Sequence, residues 1–155
     1  MAQPTTVAFG KFYILVGDEE SPETFEAPCG LTSKGFNQTA SSQDTVVPDC
    51  DDPDGCAVVE RAIDAKSSEI SGDGVLALED LNHIWQPWYD SCIARNVRIG
   101  LNAIPDIAIG GYWEGPFLLT SLNLSAERGQ KARAAVTLVN AAAWEWVPFT
   151  TSPGL

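Results

Sequence analysis

Residues 112–147 constrain the fold of this chain most strongly, because their pattern is that of one long β-hairpin. The apolar residues share one parity on each side: Leu118, Leu122 and Leu124 on the first strand, and Ala132, Ala134, Val136 and Leu138 on the second. Side chains of a strand alternate between the two faces of a sheet, so this spacing places each apolar set on one face. The polar stretch 125–130 contains a glycine and has the length of a hairpin loop. The sequence therefore predicts a β-structured domain that closes with an antiparallel hairpin.

The clearest helical pattern lies in the middle of the chain. Apolar side chains recur there at spacings of three and four residues: Leu78, Leu81, Trp85, Trp88 and Cys92. This spacing predicts an amphipathic helix whose tryptophans pack on the sheet and whose Cys92 is buried. Pro87 lies inside the pattern, so we expect the helix to kink there or to restart with Pro87 in its first turn.

The remaining segments predict further strands joined by loops. Strands are expected at 7–16, 58–70, 94–101 and, on a weaker alternation, 31–43. Segment 58–70 also fits a helix, but its neighbours favour a strand. Non-regular segments are expected at about 1–6, 71–74, 102–111 and 148–155, together with a long acidic loop at about 17–56. A single domain of residues 1–155 with this order is mainly β (α+β): an antiparallel β-sandwich or barrel with one flanking α-helix.

The charge of the chain is strongly negative and unevenly distributed. The net charge of −12 argues against a nucleic-acid-binding protein that relies on a basic surface. Residues 18–60 hold eleven acidic residues and a single basic residue, Lys34, whereas residues 91–155 are close to neutral. The acidic region is either a solvated loop that keeps the protein soluble or a surface that faces a less acidic part of a neighbouring copy.

The inventory of reactive residues gives no support for catalysis. His83 is the one histidine, and the sequence has neither a Gly-x-Ser-x-Gly elbow nor a Gly-Lys-Ser/Thr phosphate loop. The four cysteines have no Cys-x-x-Cys spacing, so we expect no metal site and no cofactor. No apolar run has the roughly 20 residues of a membrane helix. The first residues lack the pattern of a secretory signal, so we expect synthesis in the cytoplasm.

Two pairs of residues leave alternatives open. Cys50 and Cys56 bracket a tight acidic turn, and they are either free thiols or a disulfide that staples the loop. Trp144 and Trp146 share parity on the last strand, and they either pack in the core or form a subunit interface, where aromatic residues are enriched.

In its order of elements the chain resembles the tail tube (major tail) proteins of long-tailed bacteriophages and gene-transfer-agent particles. A first strand at 9–16 leads into a long acidic loop, and the strand at 63–70 leads through a turn to the helix. The strand Asn96-Val-Arg-Ile-Gly-Leu-Asn then precedes Gly110-Gly-Tyr-Trp-Glu-Gly-Pro-Phe and the closing hairpin. The resemblance covers about residues 7–147. It does not extend to the Cys/Asp-rich turn at 50–56 or to the ending Trp-Glu-Trp at 144–146.

The resemblance implies a structural virion protein that assembles into hexameric rings. The rings would stack into a hollow tube through which DNA passes without specific binding, and the long loop after the first strand would reach a neighbouring ring or subunit. Implied partners are further copies of the chain and other tail proteins, namely the terminator, the tape measure and the baseplate or distal tail protein. The implied location is the virion tail, after synthesis in the host bacterial cytoplasm and with no membrane contact.

Two hypotheses on residues follow from the resemblance together with the charge distribution. Some acidic residues would line the bore, where they would repel phosphate and let DNA slide. An acidic set and a basic set would form contacts between rings: Asp49, Asp51, Asp52 and Asp54 on one side, and Arg128, Lys131 and Arg133 on the other. The alternative functions are a single-ring neck or tail-terminator protein and a monomeric β-sandwich module that binds a ligand through its tryptophans; an enzyme is not expected.

Overall fold

The computed structural model describes residues 3–4, 6–18, 22–101 and 110–148, which form an antiparallel β-protein with one short helical segment. In these residues the strands are β1 (Phe12–Gly17), β2 (Phe25–Glu26), β3 (Leu31–Val47), β4 (Val58–Val75), β5 (Arg95–Leu101), β6 (Gly111–Ser125), β7 (Arg133–Asn140) and β8 (Glu145–Pro148). The helical segment between β4 and β5 comprises α1 (Leu78–Asp80), a π-helical turn (Leu81–Trp85) and α2 (Gln86–Ser91). A 3₁₀ turn, Phe9–Lys11, precedes β1, so the prediction of a strand over 7–16 was wrong for residues 7–11. The predicted class, mainly β with one flanking helix, is confirmed.

The strands belong to one sheet that divides into two branches along β6. The order is β2-β1-β5-β6-β7-β4-β3, and β8 also pairs with β6. The first half of β6 pairs with β5 on one side and β8 on the other, and its second half pairs with β7. The branch β2-β1-β5 and the branch β7-β4-β3 therefore meet at the middle of β6 and enclose a common core.

The core lies between the two branches and the helical segment. It is built from apolar side chains of every layer: Ile14, Val16, Ile70, Ile84, Trp85, Trp88, Val97, Ile99, Phe117, Val136 and Leu138. The predicted strand at 94–101 is confirmed, since Val97 and Ile99 of β5 are fully buried. The period of two on β7 is also confirmed, because Val136 and Leu138 face the core.

The helical segment buries the middle of the predicted apolar stripe, leaves its first residue Leu78 63% exposed, and has an irregular turn before Pro87. Trp85 and Trp88 are buried and stacked with ring centroids 6.3 Å apart, as predicted for residues that pack the helix onto the sheet. The amide of Gln86 donates to the carbonyl of Leu81, five residues earlier, so the turn is wider than an α-turn. The ring of Pro87 would clash with the carbonyl of residue 83 in a regular helix. The helix therefore restarts as α2, with Pro87 in its first turn.

The apolar face of β6 differs from the predicted one because a β-bulge interrupts the strand. Leu119 pairs with Leu138 and Ser121 pairs with Thr137, which leaves Thr120 as the extra residue. The Thr120 hydroxyl donates to the Thr137 carbonyl at 3.2 Å. A bulge shifts the alternation by one residue, so odd-numbered side chains face the core before it and even-numbered ones after it. The prediction was therefore wrong for the start of the strand: Phe117 is fully buried, and Leu118 lies on the other face, opposite Val139.

The predicted loops also need correction, because the strands around them are longer than expected. Strands β2 and β3 lie within the loop predicted at about 17–56. The loop after β3 is therefore shorter than predicted and comprises residues 48–57. Strand β4 continues through the turn predicted at 71–74 and ends at Val75. A Cβ on Gly74 would lie 2.1 Å from the carbonyl oxygen of Gly30, so this glycine permits a close backbone approach within a strand. The strand alternative for 58–70 is confirmed.

At the chain ends and in one connection, the predictions fall partly outside the described residues. Residues 3–4 and 6 have no regular structure, as predicted for 1–6, and the rest of that segment lies outside the described residues. In the tail predicted to be irregular, residue 148 belongs to β8, whereas residues 149–155 lie outside. The connection predicted at 102–111 falls mostly on residues 102–109, which also lie outside.

Candidate assembly surfaces

The strands β6, β7, β4 and β3 form a four-stranded sheet with two open edges. Each neighbouring pair in this sheet is antiparallel. Within the described ranges, β3 pairs with β4 alone, and residues 118–125 of β6 pair with β7 alone. An open edge presents a row of unpaired N–H and C=O groups, which is a template for pairing with another chain. The fold therefore offers two strand edges, one at each side of the same sheet.

One face of this four-stranded sheet packs on the core, and the other face is uncovered. Register places on the uncovered face a set of mostly small and polar residues together with two apolar ones: Ser33, Asn37, Ser67, Glu69, Ser71, Asp73, Leu118, Ser121, Asn123, Arg133, Ala135, Thr137 and Val139. The guanidinium of Arg133 lies 3.6 Å from the carboxylate of Asp73, so these two charges offset each other. Glu69 then leaves this set of residues with a negative charge. The uncovered face is thus mostly polar and slightly acidic, with one apolar pair, Leu118 and Val139.

The strands β3 and β4 continue past the sheet as a two-stranded hairpin, which we call the arm (residues 37–68). Pairing of β4 with β7 ends at Glu69, whereas β3 and β4 remain paired as far as Val47 and Val58. At about 3.3 Å per residue, the arm extends about 35 Å from the body. Its apolar side chains include Val46, Val58 and Ile63, each about two-thirds exposed. The arm therefore exposes several apolar side chains in the isolated subunit.

The acidic and basic residues expected to contact each other lie at opposite ends of the subunit. The acidic set, Asp49, Asp51, Asp52 and Asp54, lies in the turn at the end of the arm, and its members are exposed. The basic set lies in and after the β6–β7 turn, where Arg133 pairs with Val75 at the far end of β4. Eighteen residues of β4 separate the two ends, which is about 55 Å. The structure therefore does not bring the two sets together within one subunit, and their contact stays a prediction that requires a second copy.

Three tryptophans line a cleft where the arm leaves the body. The cleft has a volume of about 520 Å³ and is bounded by Trp113, Trp144 and Trp146 on one side and by Gln38 and Lys66 on the other. Trp144 donates from Nε1 to the side-chain oxygen of Gln38 at 3.1 Å, and the rings of Trp113 and Trp146 are 4.5 Å apart. Trp146 remains 43% exposed, so the core alternative does not describe it. A subunit interface at Trp144 and Trp146 stays a prediction.

All four cysteines are exposed, and no disulfide joins any two of them in this structure. Cys50 and Cys56 lie in the turn at the end of the arm, and a disulfide between them stays a prediction. The predicted burial of Cys92 was wrong. Cys92 ends α2 in the left-handed conformation, with φ of 58°, and the reversal of the chain there leaves its side chain in solvent.

The described part of the chain offers no assembled metal centre. No group of three or more His, Cys, Asp or Glu side chains in that part is placed to hold a metal ion. None of the described helices is long and apolar enough to cross a membrane.

The sequence reasoning missed the open edge of β6 and the uncovered face. A signal for the face was present, because Ser67, Glu69, Ser71 and Asp73 alternate with Ser68, Ile70 and glycines. The glycines at 72 and 74 concealed it, since they predicted a turn. The edge itself has no signal in the local sequence of β6, because it depends on how far β5 extends alongside β6.

Comparison with known proteins places this fold. The family model described as phage tail tube protein matches residues 6–144. Among solved structures, a chain from the virion of a native gene transfer agent particle has a TM-score of 0.68 at 18% identity, covering 92% of this chain and 99% of that one. A chain from the tail of an empty gene transfer agent particle, refined with C6 symmetry, has a TM-score of 0.68 at 21% identity, covering 97% and 100%.

A third structure, the SPP1 tail tube, has a TM-score of 0.60 at 9% identity and covers 95% of this chain and 82% of that one. At these identities the likeness shows a common fold. No curated protein sequence matches the chain. The family match covers most of the chain, and on that basis the chain belongs to the phage tail tube protein family.

Proposed function

We propose that this chain is the subunit of a hollow virion tail tube, built from stacked hexameric rings, through which DNA passes. The observation that carries the proposal is the pair of open edges on the four-stranded sheet. Joining the β3 edge of one copy to the β6 edge of the next pairs both edges at once. Repetition of this contact around an axis gives a closed ring of copies.

The directions of the strands support this arrangement. The sheet has an even number of antiparallel strands, so its two outermost strands, β3 and β6, run in opposite directions. Copies related by rotation about the tube axis keep their strand directions. The β3 strand of one copy therefore meets β6 of the next in antiparallel orientation, and the whole barrel is antiparallel.

Six copies with four strands each give a barrel of twenty-four strands. With strands about 4.8 Å apart and tilted by about 40°, opposite backbones would lie about 50 Å apart. Such a barrel leaves an open bore, because side chains fill the interior only in much smaller barrels. A barrel of these dimensions is consistent with a conduit for DNA.

The uncovered face of the sheet is the one that suits the bore. The other face carries the helical segment and the second branch of the sheet, and this bulk fits on the outside of a ring, where the circumference is larger. Small polar side chains would leave a smooth wall, and the negative charge of Glu69, repeated in each copy, would repel phosphate. The hypothesis that acidic residues line the bore thus applies to Glu69 and Asp73, whereas the arm-end acids serve another contact.

Stacking of the rings would use the two ends of the subunit. The arm projects from one end, and the basic turn with Arg128 and Lys131 lies at the other. Head-to-tail stacking brings the arm-end acids of one ring towards the basic turns of the next. Opposite charges at the two ends favour this polarity and disfavour head-to-head contact.

In this proposal the chain is a structural protein with no catalytic role and no cofactor. Its partners are further copies of itself and the tail proteins at the ends and inside the tube, namely the terminator, the tape measure and the baseplate or distal tail protein. Trp144 and Trp146 contribute to a subunit interface. The protein is made in the host bacterial cytoplasm and functions in the virion tail.

Electron microscopy of the purified protein across a concentration series tests the proposal. We expect six-fold rings at intermediate concentration and hollow tubes at high concentration. The variant Asp51→Asn/Asp52→Asn should shorten the tubes, and high salt should shorten those of the unmodified protein, because both weaken the contact between rings. The control variant Glu79→Gln/Asp90→Asn removes the same charge from the helical segment and should leave tube length unchanged. Tubes of normal length from the arm variant would contradict the stacking contact, and tubes without six-fold symmetry would contradict the ring.

A further inference from the structure

The end of the helical segment forms a half-open pocket beside the open edge of β6. Trp88 anchors it, because its buried ring donates from Nε1 to the carbonyl of Ile93 at 2.9 Å. Tyr89 and Ile93 remain about half exposed. Together with Cys92 they line a cavity of about 330 Å³ against residues 118–120 of β6. We call this cavity the helix-end pocket (Trp88, Tyr89, Cys92, Ile93 and 118–120).

A second exposed surface, with Ile63 as its large apolar side chain, lies at the base of the arm beside Lys66. The register pairs Ala40 with Lys66 and Ser42 with Ile63, and the bulge between these pairs leaves Asp64 without a partner residue. In this register, the side chains of Ala40, Ser42 and Ile63 lie on the same face of the sheet as those of Phe36 and Ile70. That face is the one that packs on the core. Ile63 is 64% exposed. We call Ala40, Ser42 and Ile63 the arm-base face.

Within one subunit these two surfaces cannot meet across the sheet. The helix-end pocket lies at the β6 edge, and the arm-base face lies on β3 and β4, with β7 between them. Neighbouring strands are about 4.8 Å apart, so β3 is about 14 Å from β6. The arm-base face can therefore reach a helix-end pocket only in another copy of the chain.

We infer that the arm-base face of one copy fills the helix-end pocket of the next copy in the same ring. This inference rests on the ring proposed above. Each surface lies beside one of the two edges that join, and both lie on the core side of the sheet. Edge pairing therefore places them side by side. The contact buries Ile63 of one copy against Tyr89 and Ile93 of its neighbour, and aromatic and apolar side chains of this kind are enriched in interface centres.

The position of Cys92 in the pocket allows a direct test by cross-linking. In a chain that carries Cys29→Ser, Cys50→Ser and Cys56→Ser, Cys92 is the remaining native cysteine. A second cysteine is then introduced singly on the arm-base face, as Ala40→Cys, Ser42→Cys or Ile63→Cys. Assembled tubes are treated with a thiol oxidant and separated under denaturing, non-reducing conditions. We expect a ladder of covalent multimers from at least one of the three variants.

Matched controls place the new cysteine on the opposite side of the arm, as Ser41→Cys, Ala62→Cys or Ala65→Cys. We expect these to cross-link at least tenfold less, and Cys92→Ser to abolish the ladder. Tubes that form normally but give no more cross-linking from the arm-base face than from the controls would overturn the inference and leave the ring proposal intact. If the parent chain assembles without six-fold rings, the proposed function fails and the inference fails with it.

Discussion

Replacement of Phe117 and Leu118 by alanine tests the bulge that sets the orientation of β6. Phe117 is fully buried in the core, so Phe117→Ala removes the contacts of a whole aromatic ring and leaves a cavity. Such substitutions cost about 3–5 kcal/mol of unfolding free energy. Leu118 lies on the uncovered face and is 36% exposed, so Leu118→Ala should cost about 1 kcal/mol or less. A regular strand with Leu118 in the core would give the reverse order.

Chemical denaturation of the dilute, unassembled subunit measures both free energies. In thermal unfolding, at about 2–4 °C per kcal/mol for a chain of this size, Phe117→Ala should lower Tm by about 10 °C and Leu118→Ala by a few degrees at most. The milder variant Phe117→Leu provides a folded comparison if Phe117→Ala does not fold, and it should still cost more than Leu118→Ala. Equal losses, or a larger loss for Leu118→Ala, would refute the orientation of β6 before the bulge.

Three further predictions concern the arm and the short strand β2. Two paired strands without a third strand or a buried face are marginally stable in water, so arm amides should exchange quickly with solvent in the monomer and slowly in the tube; equal rates in both states would contradict docking of the arm. A hydrogen bond from the Ser41 hydroxyl, with a further one from Gln43, holds the pKa of Asp64 below its usual range. Because the pKa of Asp64 is depressed in the folded protein, the hydrogen bond should persist above the usual Asp pKa and be lost as pH falls through the lowered pKa. Ser41→Ala should raise the titration midpoint of Asp64 measured by NMR, and an unchanged midpoint would be inconsistent with a hydrogen bond from Ser41 as the cause. Arg98 lies 4.1 Å from the ring centroid of Phe25, so Arg98→Met should cost about 1 kcal/mol and speed proteolysis near β2; unchanged proteolysis would argue against this anchor.

The elements with strong periodicity were predictable from the sequence, and those governed by pairing between distant segments were not. The tryptophan stripe predicted the helical segment because helical spacing is a local property. Val97 and Ile99 predicted β5 for the same reason. Thr120, in contrast, becomes a bulge residue through its register with Thr137 on β7. The alternation of β6 alone does not contain that information.

The candidate surfaces divide in the same way. The charge distribution indicated an acidic segment, and the structure places four of its aspartates at the end of the arm. The arm itself was missed because a hairpin that is exposed on both faces has no apolar alternation to mark it. The open edge of β6 was missed because it follows Phe117, which pairs with Arg95, the first residue of β5. Such an edge is a property of topology, and composition does not reveal it.

A cryo-electron microscopy reconstruction of assembled tubes would show how neighbouring copies join. We expect a continuous antiparallel barrel in which β3 of one copy pairs with residues 118–125 of β6 in the next, with Glu69 towards the bore. A tube in which these two edges face solvent, or in which β3 pairs with β3 of a neighbour, would contradict this expectation.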